Sequence, residues 1–98
     1  MNIIKTKNED QLTVAVEGRL DTLTAPELET ELKAELDGIT DLTLDLSGLE
    51  YISSAGLRVL LVAQKTMNAK GSMKVTGVNE TVNEIFEVTG FTDILTIE

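Results

Sequence analysis

Ser53 and Ser54 are followed by Ala55, Gly56 and a long apolar-rich run, so a buried strand and a loop lead into a helix whose first turn carries two hydroxyls and two minimal side chains. Free N–H groups and the positive end of the peptide dipole gather at a helix start and favour an anion there. Two chemistries fit a serine in that place. It can cap the helix, worth about 1 kcal/mol, or it can offer its alcohol for modification. From composition alone capping carries more weight, because serine caps vastly outnumber modified serines. Ala55 and Gly56 give little steric cover, which suits close approach by another protein's backbone. The structural alternative is tight packing of this turn against a neighbouring strand, since glycine in a first turn costs about 0.5–1 kcal/mol relative to alanine and needs a reason.

Other chemistry is sparse. Arg58, one turn farther on, is an exposed arginine by default and a contact for a partner or a phosphate otherwise. Glu27, Glu31 and Glu35 align at helical spacing, and a solvated acidic face explains them better than a metal site. The chain has no cysteine and no histidine, which excludes thiolate or imidazole zinc sites and the Ser-His-Asp and Cys-His nucleophilic machines. It also lacks a glycine-rich phosphate loop of the G-x-x-x-x-G-K type, so no enzyme and no cofactor are expected. Eight basic residues stand against 17 acidic ones, a formal charge of −9. That balance argues against nucleic acid and against an anionic membrane surface as partners. Neither a signal-peptide pattern nor a long apolar run occurs, and a cytoplasmic protein is the default expectation.

The elements that must position these residues follow from periodicity. With 98 residues and 42% apolar content, one domain spanning 1–98 is expected. Residues 2–7 and 11–17 read as an antiparallel hairpin, the second strand alternating Leu12, Val14 and Val16 with Thr13, Ala15 and Glu17 before Gly18 closes it. Thr24 and Glu27 have capping-box spacing around Pro26, and Ala25, Leu28, Leu32 and Leu36 make the apolar stripe of a first helix. Residues 42–46 read as a third strand and 54–69 as a second helix. Leu57, Leu60, Leu61, Gln64 and Met67 face inward there, and Ala55, Val59, Val62 and Ala63 widen the arc. Residues 73–76 form a strand, 79–89 a third helix ended by Gly90, and 94–97 a last strand. The order β-β-α-β-α-β-α-β predicts an α/β fold: a mixed sheet with helices packed on it and an antiparallel N-terminal hairpin. Ser47 and Gly48 read as loop, and Tyr51 as a packing residue at a strand end.

The stretch Tyr51-Ile52-Ser53-Ser54-Ala55-Gly56-Leu57-Arg58-Val59-Leu60 resembles the signature of the STAS domain, the sulfate-transporter and anti-sigma-factor-antagonist family. More narrowly it resembles the stand-alone bacterial anti-sigma factor antagonists. Gly18-Arg19-Leu20-Asp21 with Thr24-Ala25, Asp45-Leu46-Ser47, Val75-Thr76-Gly77-Val78 and Ile85 to Phe91 add matches in order along nearly the whole chain.

The resemblance implies a partner-switching phosphoprotein on the STAS-like fold. It implies phosphorylation of Ser54, with Ser53 the second candidate because it stands where better-known members carry aspartate. The partners implied are an anti-sigma factor that is a serine kinase, and a serine phosphatase acting on the phosphorylated form. The implied binding face comprises Asp21, Thr24, Ser53, Ser54, Ala55, Gly56 and Arg58, Asp21 being readable equally as a turn-former. An alternative from another class is a constitutive STAS adaptor subunit of a transporter or signalling assembly.

Overall fold

Alternation of apolar and polar side chains in Gln11–Leu20 makes the central strand of the sheet. The computed structural model describes residues 1–98. Its strands are β1 (Asn2–Asn8), β2 (Gln11–Leu20), β3 (Asp41–Asp45), β4 (Leu49–Ile52) and β5 (Ser72–Thr76), and its helices are α1 (Ala25–Glu35), α2 (Ser54–Asn68) and α3 (Glu80–Thr89). β1 runs antiparallel to β2, from Asn2 opposite Glu17 to Asn8 opposite Gln11. β3 lies parallel on the other side of β2, and β5 parallel to β3, giving the order β1-β2-β3-β5, while β4 pairs with the far end of β2. The mixed sheet with its opening hairpin and three helices is the architecture that periodicity predicts.

Three local details differ from expectation. β2 does not close at Gly18 but continues to Leu20. Gly18 has φ +96, a backbone state that side chains disfavour, and the register shifts there: Gly18 pairs with Leu49, Arg19 with Tyr51, and Glu50 is passed over. Residues 49–52, expected as loop, are therefore the strand β4. At the other end, the strand expected over 94–97 shrinks to a single bridge between Val75 and Ile97. The chain spends Phe91–Asp93 on a 3-10 turn instead, with Phe91 stacked on Phe86 at 6.4 Å between ring centroids. The element order is thus β-β-α-β-β-α-β-α.

Leu12, Val14 and Val16 from β2, Leu42 and Leu44 from β3, and Met73 and Val75 from β5 are all buried. They share one core with Leu28 and Leu32 of α1, Leu57, Leu60 and Met67 of α2, and Val82 and Phe86 of α3. Their neighbours Gln11, Thr13, Asp41, Ser72 and Lys74 are exposed, so the helices cover one face of the sheet and leave the other to solvent. Burial of each large apolar side chain supplies about 1.5–3 kcal/mol. On α2 the inward set includes Val59 and Ala63, but Leu61 is half-buried and Val62 exposed, so the apolar arc is narrower than the pattern predicts. The acidic stripe on α1 is partly paired rather than simply solvated: Lys5 of β1 donates to both Glu31 and Glu35. No helix is long and apolar enough to cross a membrane.

Candidate functional site

β4 delivers the chain to the start of α2. The Ser53 N–H donates to the Leu20 carbonyl at 2.9 Å, and the Ser53 carbonyl accepts the first helical bond from Leu57 N–H, also at 2.9 Å. Ser53 is thereby the N-cap by backbone position, with extended φ −98 and ψ 177. Its hydroxyl does not cap. It makes no side-chain cap bond, and Oγ is buried without any hydrogen-bond partner. The capping chemistry expected of a serine here is absent, and an unpaired buried hydroxyl costs about 1–3 kcal/mol. Ser54, the first residue of the helix, is exposed. The two adjacent alcohols thus have opposite fates, one sealed and one open.

Gly56 is buried. A Cβ there would stand 2.8 Å from both Leu20 Cγ and Ile52 Cγ1 and 3.0 Å from the Leu20 carbonyl oxygen. Its missing side chain lets the first turn of α2 settle onto the ends of β2 and β4, which is the packing alternative. Gly56 is itself buried, so the space its missing side chain leaves is filled by Leu20 and Ile52 of the same chain. Ala55 is half-buried against the core, and Arg58 is exposed.

Asp21 and Thr24 build the turn between β2 and α1. Asp21 Oδ1 accepts from the Leu23 and Thr24 amides at 3.0 and 3.2 Å. The Thr24 hydroxyl accepts from Asp21 N–H at 2.9 Å and donates to the Arg19 carbonyl at 2.8 Å. That engagement removes the expected capping box with Glu27, since Thr24 occupies the N-cap of α1 without a side-chain cap bond. Arg19 lies over the Tyr51 ring, 4.5 Å from its centroid, with Nε 4.0 Å from Asp21 Oδ2. Burial pushes the Asp21 carboxyl up, but the Thr24 and Leu23 amides, the Thr24 hydroxyl and the Arg19 charge prevail and hold it below the ordinary carboxylate value. Asp45 is also held low, by the amide and hydroxyl of Ser47.

The turn presents one residue that sequence reasoning missed. Leu23 is 89% exposed, although its own amide and that of Thr24 are both tied to Asp21 Oδ1. The available signal was an apolar residue in the polar run Asp21-Thr22-Leu23-Thr24, out of phase with the stripe that α1 buries. Through the Ser53–Leu20 bond the structure brings this turn and the start of α2 together. The assembled edge holds an exposed alcohol at the positive end of a 15-residue helix, a fixed turn bearing Leu23, and Arg58 one turn along. A negative charge carried on that alcohol would lie at the helix end that favours it.

The family described as "Mlab, STAS domain" matches residues 4–96. BtrV of Bordetella bronchiseptica, named as a candidate anti-sigma factor antagonist, is 37% identical over 99 residues, covering 99% of this chain and 85% of BtrV. The anti-sigma-B factor antagonist of Staphylococcus aureus is 32% identical over 97 residues, covering 97% of this chain and 90% of that protein. Among solved structures, an anti-sigma factor antagonist from Mycobacterium paratuberculosis superposes with a TM-score of 0.88 at 24% identity, over 98% of this chain and 83% of that one. Bacillus SpoIIAA shares the fold at 14% identity in its unphosphorylated form, TM-score 0.85 over 99% of this chain and 88% of that one. In its phosphorylated form the values are 13%, 0.77, 99% and 91%.

Proposed function

The chain belongs to the STAS domain family, beside relatives named anti-sigma factor antagonists, and from that footing we propose that it is an anti-sigma factor antagonist whose hold on its partner is set by phosphorylation of Ser54. The observation that carries this reading is the open Ser54 alcohol next to the sealed Ser53 one. A kinase reaches the first and not the second. The partner is an anti-sigma factor acting as a serine kinase. The γ-phosphoryl of ATP passes to Ser54 Oγ, the new O–P bond forming as the bond to ADP breaks, and the hydroxyl proton leaves to a base of the kinase. A serine phosphatase restores the alcohol by hydrolysis.

Unmodified, the chain occupies the anti-sigma factor and frees the sigma factor. The phosphate ends that contact. It adds about −1.5 to −2 charges and three acceptor oxygens, which are bulky and costly to desolvate across a tight interface. Moving a population from 99:1 to 1:99 takes about 5.5 kcal/mol, so steric exclusion and charge act together. Asp21 and Thr24 serve the face by shaping its turn, Ala55 and Arg58 border the switch, and Gly56 supports it from below.

Incubation with an anti-sigma factor kinase and ATP is expected to add one phosphate, which peptide mass spectrometry places on Ser54. Ser54→Ala keeps kinase binding and blocks modification, and Ser54→Asp weakens binding without unfolding the domain. Transfer to Ser53, or undiminished binding by Ser54→Asp, contradicts the reading. Affinity capture that returns transporter components in place of a kinase favours the adaptor alternative.

A further inference from the structure

Ser54 and Arg58 stand four residues apart on α2, and both are exposed. Residues at that spacing lie one above the other on a helix, and an anion one turn N-terminal to a cation is the favourable order. Ser54 is the first helical residue, so charge added to it also meets the positive end of the dipole. The four ion pairs of the molecule use Lys5, Arg19 and Lys33, and Arg58 takes part in none of them. On the segments flanking the helix start, Arg19 and Asp21 lie 4.0 Å from each other, and Glu50 sits exposed on β4. Arg58 is therefore a guanidinium with five donors and no carboxylate to hold, in a chain of net charge −9.

Building on the reading of Ser54 as a phosphoryl acceptor, we infer that Arg58 is the internal counter-ion of phosphorylated Ser54. The planar guanidinium fork matches phosphate oxygens in a bidentate pair, and the pairing needs only rotation of an exposed side chain. In the unmodified chain Arg58 faces outward, available to an acidic group of a partner. After phosphorylation it is engaged within its own helix. Modification then withdraws two features from the docking face at once, the hydroxyl and the cation. The fold absorbs the added charge without rearranging.

Phosphoserine installed at position 54 of the full chain by an expanded genetic code makes the test independent of any kinase. Phosphorus NMR then follows the second ionisation of the phosphate, ordinarily near pH 6. An arginine partner favours the dianion, so Arg58→Ala is expected to raise that midpoint by about 0.3 pH units at low salt, a twofold change in proton affinity. Arg58→Lys keeps the charge and most of the lowering. Lys65→Ala removes a cation about 16 Å along the helix from Ser54 and leaves the midpoint in place. A midpoint that is the same with and without Arg58, or that Lys65→Ala moves equally, overturns the inference. Failure of kinases to modify Ser54 would instead sink the functional reading and leave this titration untouched.

Discussion

The Ser53 amide is bonded to the Leu20 carbonyl at 2.9 Å, and through that bond the last residue of β2 fixes where α2 begins. The turn that follows Leu20 and the alcohol that follows Ser53 are consequently parts of one edge, although more than 30 residues of chain, measured from Leu20 to Ser53, separate them.

Ser53→Ala tests whether the Ser53 hydroxyl caps the helix. A capping serine loses about 0.5–2 kcal/mol on truncation. Because Oγ is buried and unpaired, the expected outcome of urea denaturation is unchanged or slightly raised stability. A loss of the capping size would show that the hydroxyl finds a partner in solution.

Gly56→Ala places a methyl group 2.8 Å from the Leu20 and Ile52 side chains. Overpacking of this kind costs about 1–3 kcal/mol, against a small gain in helix propensity. The denaturation midpoint is expected to fall, and kinase binding with it, because the helix start shifts. A variant as stable as the parent would mean the turn has room to move.

Leu23→Ser separates docking from folding. The side chain is 89% exposed, so its loss is expected to change stability by less than about 0.5 kcal/mol in thermal melts. Calorimetric titration with the cognate anti-sigma factor is expected to show binding weakened about tenfold, the effect of removing an apolar anchor from an interface. Equal affinities would place Leu23 outside the contact.

Acid stability follows from Asp21 and Asp45, both held below the ordinary carboxylate value in the folded chain. A carboxyl with a depressed folded pKa stabilises the fold above its unfolded pKa, near 4, and that contribution disappears as pH falls through the lower folded value. Near neutrality the melting temperature is expected to carry the full contribution of both groups and not to vary with pH on their account, and it is expected to drop below about pH 4. Asp21→Asn removes one titrating group and makes the acid limb shallower. An acid limb of unchanged steepness would mean that the Asp21 hydrogen bonds do not persist in solution.

Legibility tracked how local the cause was. The alternation of Leu12, Val14 and Val16 identifies β2, and Asn79 and Gly90 bound α3 as their types suggest, Asn79 accepting from Val82 N–H at 2.8 Å and Gly90 adopting φ +79. β4 was hidden because Glu50 is passed over in the pairing, which breaks the period of Leu49-Glu50-Tyr51-Ile52. Ile94 to Ile97 reads as a strand by composition, yet stacking of Phe91 on Phe86 diverts the chain into a turn first. At the site, the exposed position of Ser54 follows from where the helix starts. The placing of Ser53 depends on its bond to Leu20 of β2, far off in the chain, which no local spacing encodes. The diversion of Thr24 toward Arg19 and Asp21, by contrast, is local and was masked by the equally local spacing of a capping box with Glu27.

The mid-strand kink at Gly18 has a mechanical corollary. β2 serves β3 along its first half and β4 along its second, so the hairpin and the edge bearing Ser54 are coupled in series through one pivot. Extra residues grafted at the Glu9-Asp10 tip disturb the bonds that Asp10 accepts from Thr40 and Asp41, at the end of the strand remote from Ser54, and the pivot insulates Ser54 from them. Deleting one residue between Val16 and Leu20 inverts the phase beyond the pivot, expels Leu20 from the interior and leaves the Ser53 amide without its anchor.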